Sequence, residues 1–191
     1  MMVACELART ILPLSTLIPV VVLQDVKTSM KGPSGELVLR KGAKLELPLG
    51  VALPLIERGV VKVDQESLPP LREMSKIRWV ESRDPNTVQK LDEDFYVKAR
   101  LLIMLMESEG KDQRAVESAK AMLLDIVRLR LQKILKAVTA NPEMNRDFAE
   151  KLTIEERALY ATLCRSVKMW YSSMVEFVER GDPLGGERRG S

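Results

Sequence analysis

The chain has 191 residues, with 30 Lys or Arg against 27 Asp or Glu, so its net charge of +3 advertises no strongly charged nucleic-acid or membrane partner. It contains no histidine, which removes His-based acid/base catalysis, Ser-His and Cys-His nucleophile pairs and every His-containing zinc site. Its two cysteines, Cys5 and Cys164, are too few for a four-cysteine zinc site and read as reduced thiols of an intracellular protein.

The first apolar stretch, residues 11–23, is too short to span a bilayer, is broken by Pro13 and Pro19, and lacks a basic leader, so a cytoplasmic protein without a membrane segment is expected. Val20 begins a β-branched run that suits a strand, and Gly32-Pro33-Ser34-Gly35 has turn chemistry. Residues 36–39 and 44–47 then predict two short strands joined as a hairpin around Arg40-Lys41-Gly42-Ala43. A helix is expected from Pro48, with Val51, Leu55 and Ile56 on one side, stopped by Gly59 in a left-handed C-cap. Residues 60–63 return as a strand. The result is a β-rich module small enough that it must pack on something else.

Composition changes near residue 67. Every Trp, Tyr and Phe lies beyond it, and between Asn86 and Arg180 the only Gly and Pro are Gly110 and Pro142, so the second half can sustain long helices. Residues 65–70 read as a linker, and residues 71–83 read as either a strand or an extended arm. A helix is then expected after Asp84, with Val88, Leu91, Phe95, Ala99, Leu102 and Met106 on one face. A second, over residues 112–139, carries Val116, Ala119, Leu123, Val127, Ile134 and Val138, widened by Leu124, Leu131 and Leu135. A third opens on Thr153-Ile154-Glu155-Glu156, a capping-box arrangement, and carries Tyr160, Leu163, Val167, Trp170, Met174 and Phe177. The Gly-rich stretch 181–191 reads as a disordered tail.

The expected class is therefore α+β: a small β-rich domain over residues 1–67, an α-helical bundle domain over 68–180, and the tail. Apolar faces this wide exceed what a three-helix bundle encloses, so a partner subunit is expected to cover the surplus.

No chemistry-bearing constellation stands out. Asp92-Glu93-Asp94 sits where acids favour a helix N-terminus, and Glu155-Glu156 belongs to the capping box. Gly185-Gly186 has no preceding strand and makes no phosphate loop. Arg128, Arg130, Lys133 and Lys136 form the best basic group, placed to complement a helix C-terminus or meet a subunit, with DNA contact as the lesser reading. Lys41 and Lys44 flank the hairpin turn, where a solvated loop or weak phosphate contact is expected. No catalytic residue, cofactor or metal site is expected.

These residues resemble a known family. Ile18-Pro19-Val20, Leu39-Arg40-Lys41-Gly42, Leu45-Glu46-Leu47-Pro48, Ala52, Leu55-Ile56 and Gly59-Val60 are similar to the β-rich B domain of GINS subunits. Leu68-Pro69-Pro70-Leu71-Arg72, Ile77-Arg78-Trp79, Asp94-Phe95-Tyr96, Arg130-Leu131-Gln132-Lys133-Ile134 and Leu152-Thr153-Ile154-Glu155-Glu156 with Leu159-Tyr160 resemble their helical A domain. The resemblance covers about residues 17–178, in the order with the small domain first, as in the archaeal subunit related to eukaryotic Psf-two and Psf-three. It implies a non-catalytic, chromosome-associated subunit that joins a helical-domain-first GINS subunit in a heterotetramer. That assembly would bind the MCM helicase and a RecJ-like or Cdc-type protein and activate DNA unwinding. Subunit contacts are expected at Phe95, Tyr96, Leu131, Tyr160, Trp170 and Met174, because aromatic and aliphatic anchors dominate interface energy. Whether the basic residues meet a subunit or weakly bound, non-specific DNA stays open. The rival readings are a DNA-binding regulator that reads DNA with the β module and dimerises through its helices, which lacks a recognition helix, and a helical enzyme using Tyr96 or Lys133, which lacks a constellation.

Overall fold

The computed structural model describes residues 16–32 and 35–181, with side chains undescribed over 26–38. The expected tail, from residue 182 on, lies outside the described residues, as do Pro33 and Ser34 of the expected turn. The architecture is α+β: a small N-terminal antiparallel sheet precedes a helical region. Among the described residues two compact units form, one from residues 16–75 with Phe95–Leu123, the other from Lys76–Asp94 with residues 124–181.

In the first unit, β1 (Leu17–Val22) is the central strand between β4 (Lys44–Pro48) and β5 (Val61–Val63), antiparallel to both. Ile18, Val20 and Val22 alternate inward and are fully buried, meeting Leu47, Val61 and Val63 in one core. β2 (Val26–Gly32) pairs with β3 (Gly35–Leu39). The strands expected at 36–39 and 44–47 exist, but they do not pair with each other: β4 turns to β1 and β3 to β2. Bonds between the Gly42 N–H and the Val22 carbonyl (2.8 Å), and between the Val22 N–H and the Ala43 carbonyl (2.9 Å), anchor the 40–43 turn to β1. The apolar alternation of β1 thereby outweighs the proximity of β3, as expected when burial of one face sets the pairing.

Helix α1 (Leu49–Glu57) buries Leu49, Ala52 and Leu55 and ends where Gly59 takes φ 66°, the left-handed stop expected of it. A 3₁₀ turn at Gln65–Ser67 follows, capped by the Asp64 carboxylate, which accepts from the Glu66 N–H and the Ser67 hydroxyl. The small module does not close its core alone. Val97, Leu101, Met104 and Leu105 of α3 (Phe95–Ser108) share its cluster with Leu68.

Residues 71–83, undecided between strand and arm, form helix α2 (Leu71–Arg83). Its buried positions are Met74, Ile77 and Glu81. The third member of that helical stripe is a carboxylate, which hides the period from a reading of apolar residues alone. The helix expected from Asp84 begins only at Phe95. Over 84–94 the backbone bonds elsewhere: the Asp84 side chain accepts from the Asn86 N–H (2.8 Å), Glu81 from the Gln89 N–H (2.9 Å), and the Lys151 carbonyl from the Leu91 N–H (3.3 Å). Groups committed to such partners cannot join a helical ladder.

Helix α4 (Gln113–Ala140) has the span expected of it. After the short α5 (Arg146–Ala149), helix α6 (Ile154–Arg180) starts at the predicted capping box, with Thr153 and Glu156 bonded reciprocally, and ends on Gly181 at φ 71°. In the second unit, Val88, Ile134, Val138, Ala149, Leu152, Tyr160 and Cys164 make the core.

Candidate interaction surfaces

The basic group expected on the later half of α4 divides. Arg130 is fully buried because it occupies the inward stripe of α4, four residues from both Ile126 and Ile134, which are themselves buried. Its guanidinium donates from Nε to Glu156 Oε1 (2.7 Å) and from Nη2 to Glu156 Oε2 (2.7 Å), a bidentate grip on the carboxylate that also closes the capping box. Nη1 donates to Glu81 Oε1 (2.6 Å) and the Gln89 carbonyl (2.8 Å), and Nη2 also reaches the Lys151 carbonyl (3.1 Å). The ammonium of Lys133 bonds the other Glu81 oxygen. Two cations thus meet two carboxylates in a buried, charge-balanced cluster that also bonds backbone groups, the condition under which buried ions are tolerated.

Arg130 and Lys133 are therefore interior groups and offer no charge to DNA or to another subunit. Lys136 stays exposed, bonded to Asn86 Oδ1 (2.5 Å), and Arg128 stays exposed. In the first unit, Lys44 pairs with Glu66 (2.6 Å) and Asp64 (3.3 Å), whose hydrogen bonds raise its pKa, while the Lys41 side chain faces solvent. Sequence reasoning missed Glu81 and gave Glu156 only its capping role. The available signal was the placement of charged residues on otherwise apolar helical stripes: Glu81 after Met74 and Ile77, and Arg130 between Ile126 and Ile134.

The aromatic candidates divide as well. Phe95 is buried in the first unit and Tyr160 in the second, where its ring lies 5.1 Å from Phe148 and its hydroxyl accepts from the Asn145 N–H (3.2 Å). Desolvation raises the Tyr160 pKa. Neither side chain presents surface. Tyr96 is half-buried, its ring 5.5 Å from that of Phe95. Leu131 and Trp170 are exposed and Met174 is half-buried.

The exposed apolar residues have a pattern. On α6 the stripe that is buried at Glu156, Tyr160 and Cys164, and half-buried at Val167, runs on through Tyr171, Met174 and Val178. Spacings of three and four keep these positions on one helix face. Trp170 (63% exposed), Tyr171 (62%) and Val178 (76%) thus continue a core-facing surface that none of the described residues covers. On α4, Leu124, Val127, Leu131 and Leu135 form a second exposed row at helical spacing. Single exposed apolar residues need no explanation, but contiguous faces of this kind mark sites for other proteins.

A pocket of about 460 Å³ in the second unit is lined by Lys90, Arg146 and Arg157 against Asp92, Glu93 and Glu150. Its charges balance, and the Arg157 guanidinium is already bonded to Glu93 Oε1 (2.8 Å). Among the described residues no cluster of three or more Cys, Asp or Glu is placed to hold a metal ion, and no helix is long and apolar enough to cross a membrane.

A small antiparallel sheet followed by a helical bundle, with a buried ion cluster and uncovered apolar faces on its two longest helices, defines an α+β protein organised for contact with other proteins. The profile of the GINS complex protein helical bundle domain matches residues 71–175, more than half of the chain. The chain belongs to this family, the subunits of the GINS complex of DNA replication, which assemble with one another as hetero-oligomers. No curated protein matches the sequence.

Proposed function

We propose that this protein is a non-catalytic GINS subunit of the archaeal type with the small domain first, related to eukaryotic Psf-two and Psf-three. It joins a helical-domain-first GINS subunit in a heterotetramer, working in the cytoplasm at the replication fork. The assembly is a scaffold between the MCM helicase and a RecJ-like or Cdc-type protein, and it activates DNA unwinding. The observation that carries this reading is the apolar face of α6, which continues beyond its own core as Trp170, Tyr171 and Met174 inside the matched bundle domain and as Val178 just past its end. Leu131, on the exposed row of α4, and the half-buried Tyr96 and Met174 are the remaining anchors.

Co-expression with a helical-domain-first GINS subunit tests the assembly. Light scattering is expected to give the mass of a heterotetramer, and adding it to MCM is expected to raise the rate of duplex unwinding. A monomer that ignores that subunit would overturn the assembly, and unwinding that is indifferent to the complex would overturn the scaffold role.

A further inference from the structure

Helix α2 carries a second kind of surface that the subunit reading does not use. Within the second unit, Lys76, Trp79 and Arg83 stand at spacings of three and four, and so share one face, and all three are exposed. Trp79 is 56% exposed, and the Arg83 guanidinium carbon lies 4.7 Å from its ring centroid in a cation–π stack. The only acid of α2 between these residues, Glu81, is turned inward and bound to Arg130 and Lys133. Arg78, also exposed, holds Asp125 only at 3.4 Å. No acidic side chain pairs with Lys76 or Arg83 among the described residues; one turn earlier the exposed Glu73 is offset by the exposed Arg72, so this face is net positive and has an aromatic ring at its middle.

We propose that the Lys76–Trp79–Arg83 face of α2 is a stacking platform for single-stranded nucleic acid. A planar ring with a guanidinium already stacked on it extends readily to a nucleobase, and cations on both sides of the ring meet the phosphates that flank that base. Duplex DNA hides its base faces and could use only the charges. An acidic peptide could likewise use the charges without needing an open ring. The platform and the apolar face of α6 share no residue, so each fails or stands by itself.

The test is fluorescence anisotropy of a labelled oligothymidine of about 20 nucleotides, a length chosen to exceed one stacking site, titrated with the full chain. Binding is expected to weaken about tenfold in Trp79→Ala, to be largely restored in Trp79→Phe, and to weaken with salt by a log–log slope that falls by about 0.7 for each of Lys76→Gln and Arg83→Gln. In a Trp170→Phe background, where Trp79 is the sole tryptophan, its emission is expected to be quenched on binding. The proposal is overturned if the oligonucleotide does not bind, if Trp79→Ala binds it as tightly as the parent, if an equal length of duplex binds as well, or if polyglutamate displaces it as effectively as unlabelled oligothymidine.

Discussion

The guanidinium of Arg130 holds both oxygens of Glu156 at 2.7 Å, so the carboxylate that caps the first turn of α6 also fixes that helix to α4. Local and tertiary structure share one side chain here. A buried arginine left without its carboxylates has no water to turn to, so Arg130→Ala is expected to be less damaging than Glu81→Ala with Glu156→Ala, which strands the cation. Each removal of one partner should still cost about 3–5 kcal/mol. Arg130→Lys should not rescue, because an ammonium cannot reproduce the bidentate grip. Urea unfolding of these variants measures this; stabilities within error of the parent would show that the cluster is not a stability element.

Trp170 and Tyr160 lie on the same helix but on opposite sides of a functional division. Trp170→Ala should leave the unfolding free energy of the isolated chain within about 0.5 kcal/mol, because the side chain is exposed. It should weaken assembly by about 2 kcal/mol if Trp170 is an interface anchor. Tyr160→Ala should do the reverse in order of events, destabilising the chain itself by about 3–5 kcal/mol through loss of a filled core position. Thermal melts of each chain, followed by titration with the partner subunit, separate the two effects.

The β module depends on helix α3 for its core, since Leu101 and Met104 are buried in the same cluster as Ile18 and Val20. Leu101→Ala is expected to cost about 2–5 kcal/mol and to speed amide exchange in β1, although β1 is far away in sequence. Exchange confined to α3 would show that the module closes without it.

Asp64 supplies the pH dependence that can be read most directly. The Ser67 hydroxyl, at 2.7 Å, and then the Lys44 ammonium hold its pKa below the ordinary aspartate value. A carboxylate whose pKa is lowered in the folded state contributes stability that is present in full above the unfolded value, near pH 4. That stability is lost as pH falls through the lower, folded value. Asp64→Asn should therefore flatten the decline in stability below about pH 4, and should cost about 1–3 kcal/mol at neutral pH through weaker bonds at a buried site. Urea midpoints measured from neutral pH downward check both signs.

Much of this molecule is legible in its sequence, where the signal is confined to a few neighbouring residues. The Thr153–Glu156 capping box, the left-handed stop at Gly59 and the long helices between Asn86 and Arg180 follow from bonds and steric limits that act within a single turn. So does the excess of apolar surface on the later helices, which needs only the helical period to be counted.

Tertiary structure decided what depends on partners distant in the chain. The strand β4 could have paired with β3 across four residues, but β1 offered a buried alternating face, and burial of apolar surface outweighs proximity. The same basic run on α4 could have been a surface, and two of its members became interior because Glu81 and Glu156 lie 49 and 26 residues from Arg130 in sequence yet within hydrogen-bond reach in the fold. Sequence by itself fixed the absence of histidine chemistry and the presence of helices with wide apolar faces. Only the fold could settle which charges are satisfied inside and which apolar residues remain uncovered, because burial is a property of the whole packed chain and not of any window along it.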